Sequence, residues 1–140
     1  MNDESAVYRV LQVSSVVFDL DDASPVLHLH EAEEPYRALA VPVALADAQA
    51  IQAALSNRSG RRPTTHELFA AVLAEARIDV VAARIESVAG GVFQASLDLM
   101  TPAGRLVLDA RTSDAVTLAL RQAVVAPILC RDEVLADLNP

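Results

Sequence analysis

Gly90-Gly91 divides two runs rich in β-branched and apolar residues, 78–88 and 91–100. Two glycines supply the positive backbone angles that a two-residue hairpin turn requires, so these runs are read as paired antiparallel strands. Thr101-Pro102-Ala103-Gly104 repeats the turn chemistry, and residues 105–110 follow as the next strand. A meander of this length commits the chain to a sheet with one face to bury.

The first part of the chain reads the same way. Residues 7–18 form a β-branched run, and Asp19, Asp21 and Asp22 turn it. Residues 25–31 alternate, with Val26, His28 and His30 on one face and Leu27 and Leu29 on the other. That pattern is a half-buried strand hairpinned on the first. Residues 31–35 read as another acidic turn, and 37–44 as a further strand. Pro42 has no N–H for the ladder, which puts that strand at an edge or gives it a bulge.

Helical spacing begins at Asp47, with Ala48, Ile51, Ala54 and Leu55 recurring on one face. The run Ser-Asn-Arg-Ser-Gly ends it. A second helix opens near Thr64, where Thr64-Thr65-His66-Glu67 fits a capping box and Leu68, Val72 and Leu73 supply a buried stripe. A third is capped by Thr112 or Ser113 and runs to about Arg121, with Val116, Ala119 and Leu120 inward. Residues 127–130 form a short apolar strand, and 132–138 a last helical turn or two. The order β-β-β-α-α-β-β-β-α-β-α keeps strands in runs. It predicts an α+β fold: one compact domain over residues 1–140, core about 7–138, with a mixed, largely antiparallel sheet and three to four helices.

A hydrophobic fraction of 53% against 21% charged is enough for a real core and excludes a largely disordered chain. With no Trp and 4% aromatics, that core must be Val, Leu, Ile and Ala. No apolar run approaches the ~20 residues that cross a bilayer, so no membrane association is expected. The acidic start Met1-Asn2-Asp3-Glu4-Ser5 does not read as a secretory signal. The lone Cys130 has no partner for an internal disulfide and reads as a small buried hydrophobe. The expected compartment is the cytoplasm. A net charge of −8 argues against non-specific coating of nucleic acid, though not against a local basic site.

The clearest polar constellation is Asp109-Ala110-Arg111-Thr112-Ser113-Asp114, delivered by an apolar strand and starting a helix. Helix N-termini and strand ends point backbone N–H groups outward and attract anions. Arg111 would hold a phosphate, and Asp109 and Asp114 would bind a divalent cation or act as base. The plainer alternative is an ordinary cap at Ser113 and Asp114, with Arg111 paired to Asp109. His66 is a second candidate, as general base or phosphate ligand, while Glu67 is most simply a capping residue. Arg58, Arg61 and Arg62 lie in a stretch without acids, which is either a solvated loop or a phosphate-facing patch. His28 and His30 share a strand face, but a metal site needs a third ligand that the sequence does not supply. There is no Walker loop, GxSxG elbow or GxGxxG.

Leu108-Asp109-Ala110-Arg111-Thr112-Ser113-Asp114-Ala115-Val116-Thr117-Leu118-Ala119-Leu120-Arg121 resembles the D-A-R-P-S-D-A-I-A-L-A-L-R signature of the bacterial and plant bifunctional nuclease family. Arg62-Pro63-Thr64-Thr65-His66-Glu67-Leu68 is similar to its R-P-x-T-H-D-L element. Val41-Pro42-Val43 and the following helix are similar to its L-P-I-x-I-G-x-x-E-A-x-A-I segment. Gly91-Val92-Phe93-Gln94-Ala95 resembles its G-T-F-Y-A hairpin, and Pro127-Ile128 its P-I-Y-V strand. The similarities keep their order from about Val10 to Leu135.

The resemblance implies a small mixed α/β domain, a homodimer, and cleavage of DNA and RNA. It also implies a shared role for the two elements that hold His66 and Asp109 to Asp114. The chemistry expected on that basis is phosphodiester hydrolysis, with Mg or Mn as the candidate cofactor at Asp109 and Asp114. Asp109, Arg111, Ser113, Asp114 and His66 are the catalytic candidates, with Arg111 and Arg62 to hold the phosphate and His66 to move a proton, and Arg61, Arg62, Thr65 and Glu67 would contact substrate. The sequence departs from the family at Ala46 for Gly, Gln49 for Glu, Glu67 for Asp, Thr112 for Pro and Gln94 for Tyr. Gln49 cannot supply the charge a hard cation needs. A second reading is therefore a binding or regulatory module that keeps the fold without the chemistry. A homodimer is also expected because so apolar a chain has strands to cover.

Overall fold

The computed structural model describes residues 6–18 and 24–140. The acidic start and the turn expected at Asp19, Asp21 and Asp22 lie outside the described residues. Eleven elements follow in order: β1 (Tyr8–Val17), β2 (Val26–Glu31), β3 (Ala38–Pro42), α1 (Leu45–Leu55), α2 (Thr65–Glu75), β4 (Asp79–Ala89), β5 (Val92–Thr101), β6 (Gly104–Ala110), α3 (Thr112–Leu120), β7 (Ile128–Arg131) and α4 (Asp132–Leu138). Their types and order are those expected, and the fold is α+β.

The strands make one mixed sheet of seven, ordered β3-β2-β1-β7-β4-β5-β6. Two antiparallel meanders, β1-β2-β3 and β4-β5-β6, flank β7. β7 runs antiparallel to β1 and parallel to β4, the one parallel pairing among the described residues. Gly90 and Gly91 have φ of 58° and 78° and close the β4–β5 hairpin between the paired Ala89 and Val92. Such angles clash with a Cβ, which is why the turn carries two glycines. β3 with Pro42 is an edge strand, as its missing donor requires.

One face of the sheet meets the helices. Leu11, Leu27, Leu29, Ile85, Leu97, Ile128 and Cys130 are buried there with Ile51 of α1, Val116 and Ala119 of α3, and Leu135 of α4. Cys130 is fully buried, and burial pushes its thiol up to about 12, so it behaves as a hydrophobe. The other face is ionic. The Asp98 carboxylate, fully buried, accepts from Arg84 Nη2 at 2.7 Å and from Arg105 Nε and Nη2 at 2.8 Å each. Beside it Glu86 accepts from the Tyr8 hydroxyl at 2.6 Å, Ser96 at 2.8 Å and Arg131 at 3.1 Å. Burial disfavours the charged form of Glu86, but those hydrogen bonds outweigh it and hold the carboxyl below the usual range.

Three local expectations change. Glu31 is not part of a solvated turn. It ends β2 at 2% exposure and is held by Arg37 Nε at 2.6 Å and Arg9 Nε at 3.0 Å. α2 buries only Leu73, while Leu68 and Val72 are 57% and 58% exposed, because the helix packs mainly on α3 and turns its outer stripe to solvent. α3 is not capped by Thr112 or Ser113. Its N-cap is Arg111, in extended conformation and without a side-chain cap bond, so Thr112, Ser113 and Asp114 occupy its first turn. α1 likewise opens at Leu45, which places Asp47 third in the helix.

Candidate functional site

The end of β6, one side of α1, the start of α2 and one side of α3 converge around a cavity of about 980 Å³. Each contributes for a local reason. β6 carries Leu108 and Ala110 onto the helix face, since both alternate in register with Leu97 and Ala95. α2 begins at a capping box whose two legs both form: the Thr64 side-chain oxygen accepts the Glu67 backbone N–H, and the Glu67 carboxylate accepts the Thr64 backbone N–H at 3.3 Å, with the Thr64 hydroxyl also donating to that carboxylate at 3.0 Å. That fixed start aims His66 and Thr65 at the cavity.

Four side chains on the rim form one cluster. Arg111 donates through Nε to Asp114 Oδ2 at 2.9 Å, and through Nη1 and Nη2 to the two Asp47 oxygens at 3.1 Å each. His66 Nε2 lies 2.9 Å from Asp114 Oδ1. Burial disfavours the ionised Asp114, but the bonds from Arg111 and His66 outweigh it and hold the carboxyl below the usual range. The same Asp114 bond, then the charges of Asp114 and Asp47, raise the already high affinity of Arg111 for its proton. The Arg111 side chain is still 63% exposed, although carboxylates bracket its guanidinium on two edges, Asp47 across Nη1 and Nη2 and Asp114 across Nε and Nη2, the last bond at 3.3 Å. The uncapped first turn of α3 adds backbone N–H groups at the same place, which favours an anion there.

The expected residues divide. Arg111, Asp114, His66 and Thr65 come together at the cavity. Arg111 pairs with Asp47 and Asp114, not with Asp109. Asp109 borders the cavity from the end of β6 but is in register with Ser96, so its side chain leaves the strand on the ionic face. Ser113 is buried and adjoins a separate depression of about 400 Å³ with Phe93 and Val92. Glu67 is spent on the helix start, and the Ser59 hydroxyl, with Thr64, lowers its carboxyl. Arg61 and Arg62 are exposed in the loop before α2, outside the cavity lining, and Arg58 accepts a bond from Arg121 through its carbonyl. Across the sheet, His30 meets only the Ser14 hydroxyl. Among the described residues no group of three or more His, Cys, Asp or Glu comes together to hold a metal.

Sequence reasoning missed Asp47 as a partner of Arg111, 64 residues away. It also missed Phe69, Arg121 and the small-residue wall of α1, where Ala46, Ala50 and Ala53 face the cavity beside Gln49. The helical spacing of Ala48, Ile51 and Ala54 on the buried face was visible, but nothing local said that Ala46, Ala50 and Ala53 would line a cavity. No helix among the described residues is long and apolar enough to cross a membrane.

Comparison with known proteins agrees with this architecture. No curated protein matches the chain. The family model described as the bifunctional nuclease domain matches residues 27–139, which span all four cavity elements. The chain therefore belongs to the bifunctional nuclease domain family.

Proposed function

We propose that the protein is a nuclease that hydrolyses phosphodiester bonds of DNA or RNA at the rim cluster of His66, Arg111, Asp114 and Asp47. The observation that carries the reading is the convergence of these four side chains on the open cavity. A phosphate oxygen reaches the exposed Arg111 guanidinium by taking over a donor now held by a carboxylate, and reaches the first-turn N–H groups of α3, which would stabilise charge as the bond breaks. Asp114 orients the His66 ring through Nε2 and leaves Nδ1 to take a proton from water or return one to the leaving oxygen. Asp47 holds Arg111 in place. Arg121 lines the cavity itself, and Arg61 and Arg62, exposed in the loop before α2, are the candidates for flanking phosphates.

The donor set fits Mg or Mn poorly. Asp47 and Asp114 are already bridged by Arg111, Asp109 projects from the opposite face of β6, and Gln49 stands where the resembled family carries Glu. No step is therefore routed through a metal. Gln49 on the cavity wall also supports the second reading, a nucleic-acid-binding module without turnover. Asp114→Asn separates the two. For a nuclease, purified wild type cleaves single-stranded DNA or RNA and the variant loses that activity, with Mg, Mn and EDTA arms showing whether metal is needed. Equal traces in both proteins would leave only the binding module. A second copy of the chain is the proposed cover for Leu68 and Val72, and a monomeric mass at micromolar concentration would remove it.

A further inference from the structure

We propose that the cavity is a seat for one unstacked nucleobase, so that the strand handled by this site is single. The proposal rests on the nucleic-acid reading above and names what the cavity is for. The rim cluster accounts for a phosphate but leaves most of a space of about 980 Å³ unused. Its α1 wall is Ala46, Ala50 and Ala53, one helical stripe with no side chain beyond Cβ. Phe69 of α2, 45% exposed, lines the same cavity and is the one phenyl or phenol ring among its described lining residues. A slot with an apolar lining and an aromatic ring in it takes the π-face of any base.

Polar groups in the slot fit the same occupant. Gln49 leaves α1 between Ala46 and Ala50, and its amide both donates and accepts, as the edge of a base does. A carboxylate at that position would only accept. The rim cluster lies at the mouth, where the sugar–phosphate of a seated nucleotide would pass. Duplex is a poor fit on two grounds. Its bases are stacked away from any slot, and the chain, at net charge −8, carries Arg58, Arg61 and Arg62 as its one acid-free basic stretch in place of a long basic track.

The experiment is fluorescence anisotropy in EDTA with the full chain. The probes are a labelled oligothymidine, a strand of equal length and charge built from abasic residues, and a duplex. Wild type is expected to bind the oligothymidine about tenfold more tightly than the abasic strand, the scale of one base stacked on an aromatic ring. Phe69→Ala and the slot-filling Ala50→Leu should each erase that preference, with circular dichroism confirming that both fold. The contrast between strands in wild type needs no variant, so a misfolded mutant does not shield the idea. Equal binding of the base-bearing and abasic strands overturns the seat and leaves the nuclease reading intact. Duplex binding as tight as single strand also overturns it, as does loss of strand binding with rising protein concentration, which would place a second copy in the slot. Binding of no strand, with no cleavage, removes the nucleic-acid reading and the seat together.

Discussion

Two of the arginine–carboxylate clusters on this fold are built from the same chemistry and placed differently. In the first, Glu31 lies at 2% exposure between Arg9 and Arg37, and Arg37 also bonds Asp132 at 2.6 Å. In the second, Arg111 is 63% exposed between Asp47 and Asp114. In the first the carboxylate is buried and the arginines seal it. In the second the arginine is the shared member, bracketed by both carboxylates yet largely exposed to solvent. A buried carboxylate cannot lose its partners without a large penalty, whereas an exposed guanidinium can exchange some of its bonds for those of a ligand. The difference teaches that burial, not the list of ion pairs, separates a structural clamp from a candidate site.

Substitutions can break that contrast. Glu31→Gln should cost about 3 kcal/mol at neutral pH, because it leaves two arginines facing a buried amide. Thermal or urea unfolding measures it, and a loss below about 1 kcal/mol would put both clusters in the same class. The acid limb sharpens the test. Chiefly through hydrogen bonding from Arg37, the Glu31 carboxyl is lowered from 4.5 to about 2. Its contribution is therefore complete above pH 4.5 and is lost as pH falls toward 2. The Gln variant should show a flatter stability profile across that window.

Thr64→Ala removes one leg of the capping box that aims His66. About 1 kcal/mol should be lost, and cleavage should fall with it if the helix start positions the ring. An intact rate would detach His66 from the chemistry. Arg111→Ala should change stability least, by less than about 1 kcal/mol, because its partners stay partly solvated and Asp114 keeps His66. Turnover should nonetheless drop about a hundredfold or more. A large fall in melting temperature with unchanged cleavage would make Arg111 a clamp like Arg37.

What was legible in the sequence was local. Gly90-Gly91 announces its turn through backbone angles, Pro42 its edge through a missing donor, and Thr64 to Glu67 its helix start through three-residue spacing. The alternation around Leu27 and Leu29 identified their buried face. Pairings across the chain were not legible. Asp47 meets Arg111 only after the sheet and helices bring them together, and Glu31 looked like part of an acidic turn because Arg9 and Arg37 lie on other segments. Leu68 and Val72 had the right spacing for a buried stripe, but spacing cannot say whether anything packs on it. The family resemblance located the cavity elements, and the geometry then separated Arg111, Asp114 and His66 from Asp109 and Ser113.

The place of β7 governs the order in which the domain is assembled. The two meanders form from neighbouring residues, yet each presents an unsatisfied edge, β1 or β4, until Ile128–Arg131 is available to bridge them. During synthesis both halves must therefore wait with open hydrogen-bonding edges for a strand that follows both of them in the sequence. Closure by so distant a segment is slow, and in that interval the exposed edges can pair with those of other chains. A nascent chain stalled before residue 128 would hold two half-sheets that no strand yet bridges, making this short central strand the timekeeper of folding.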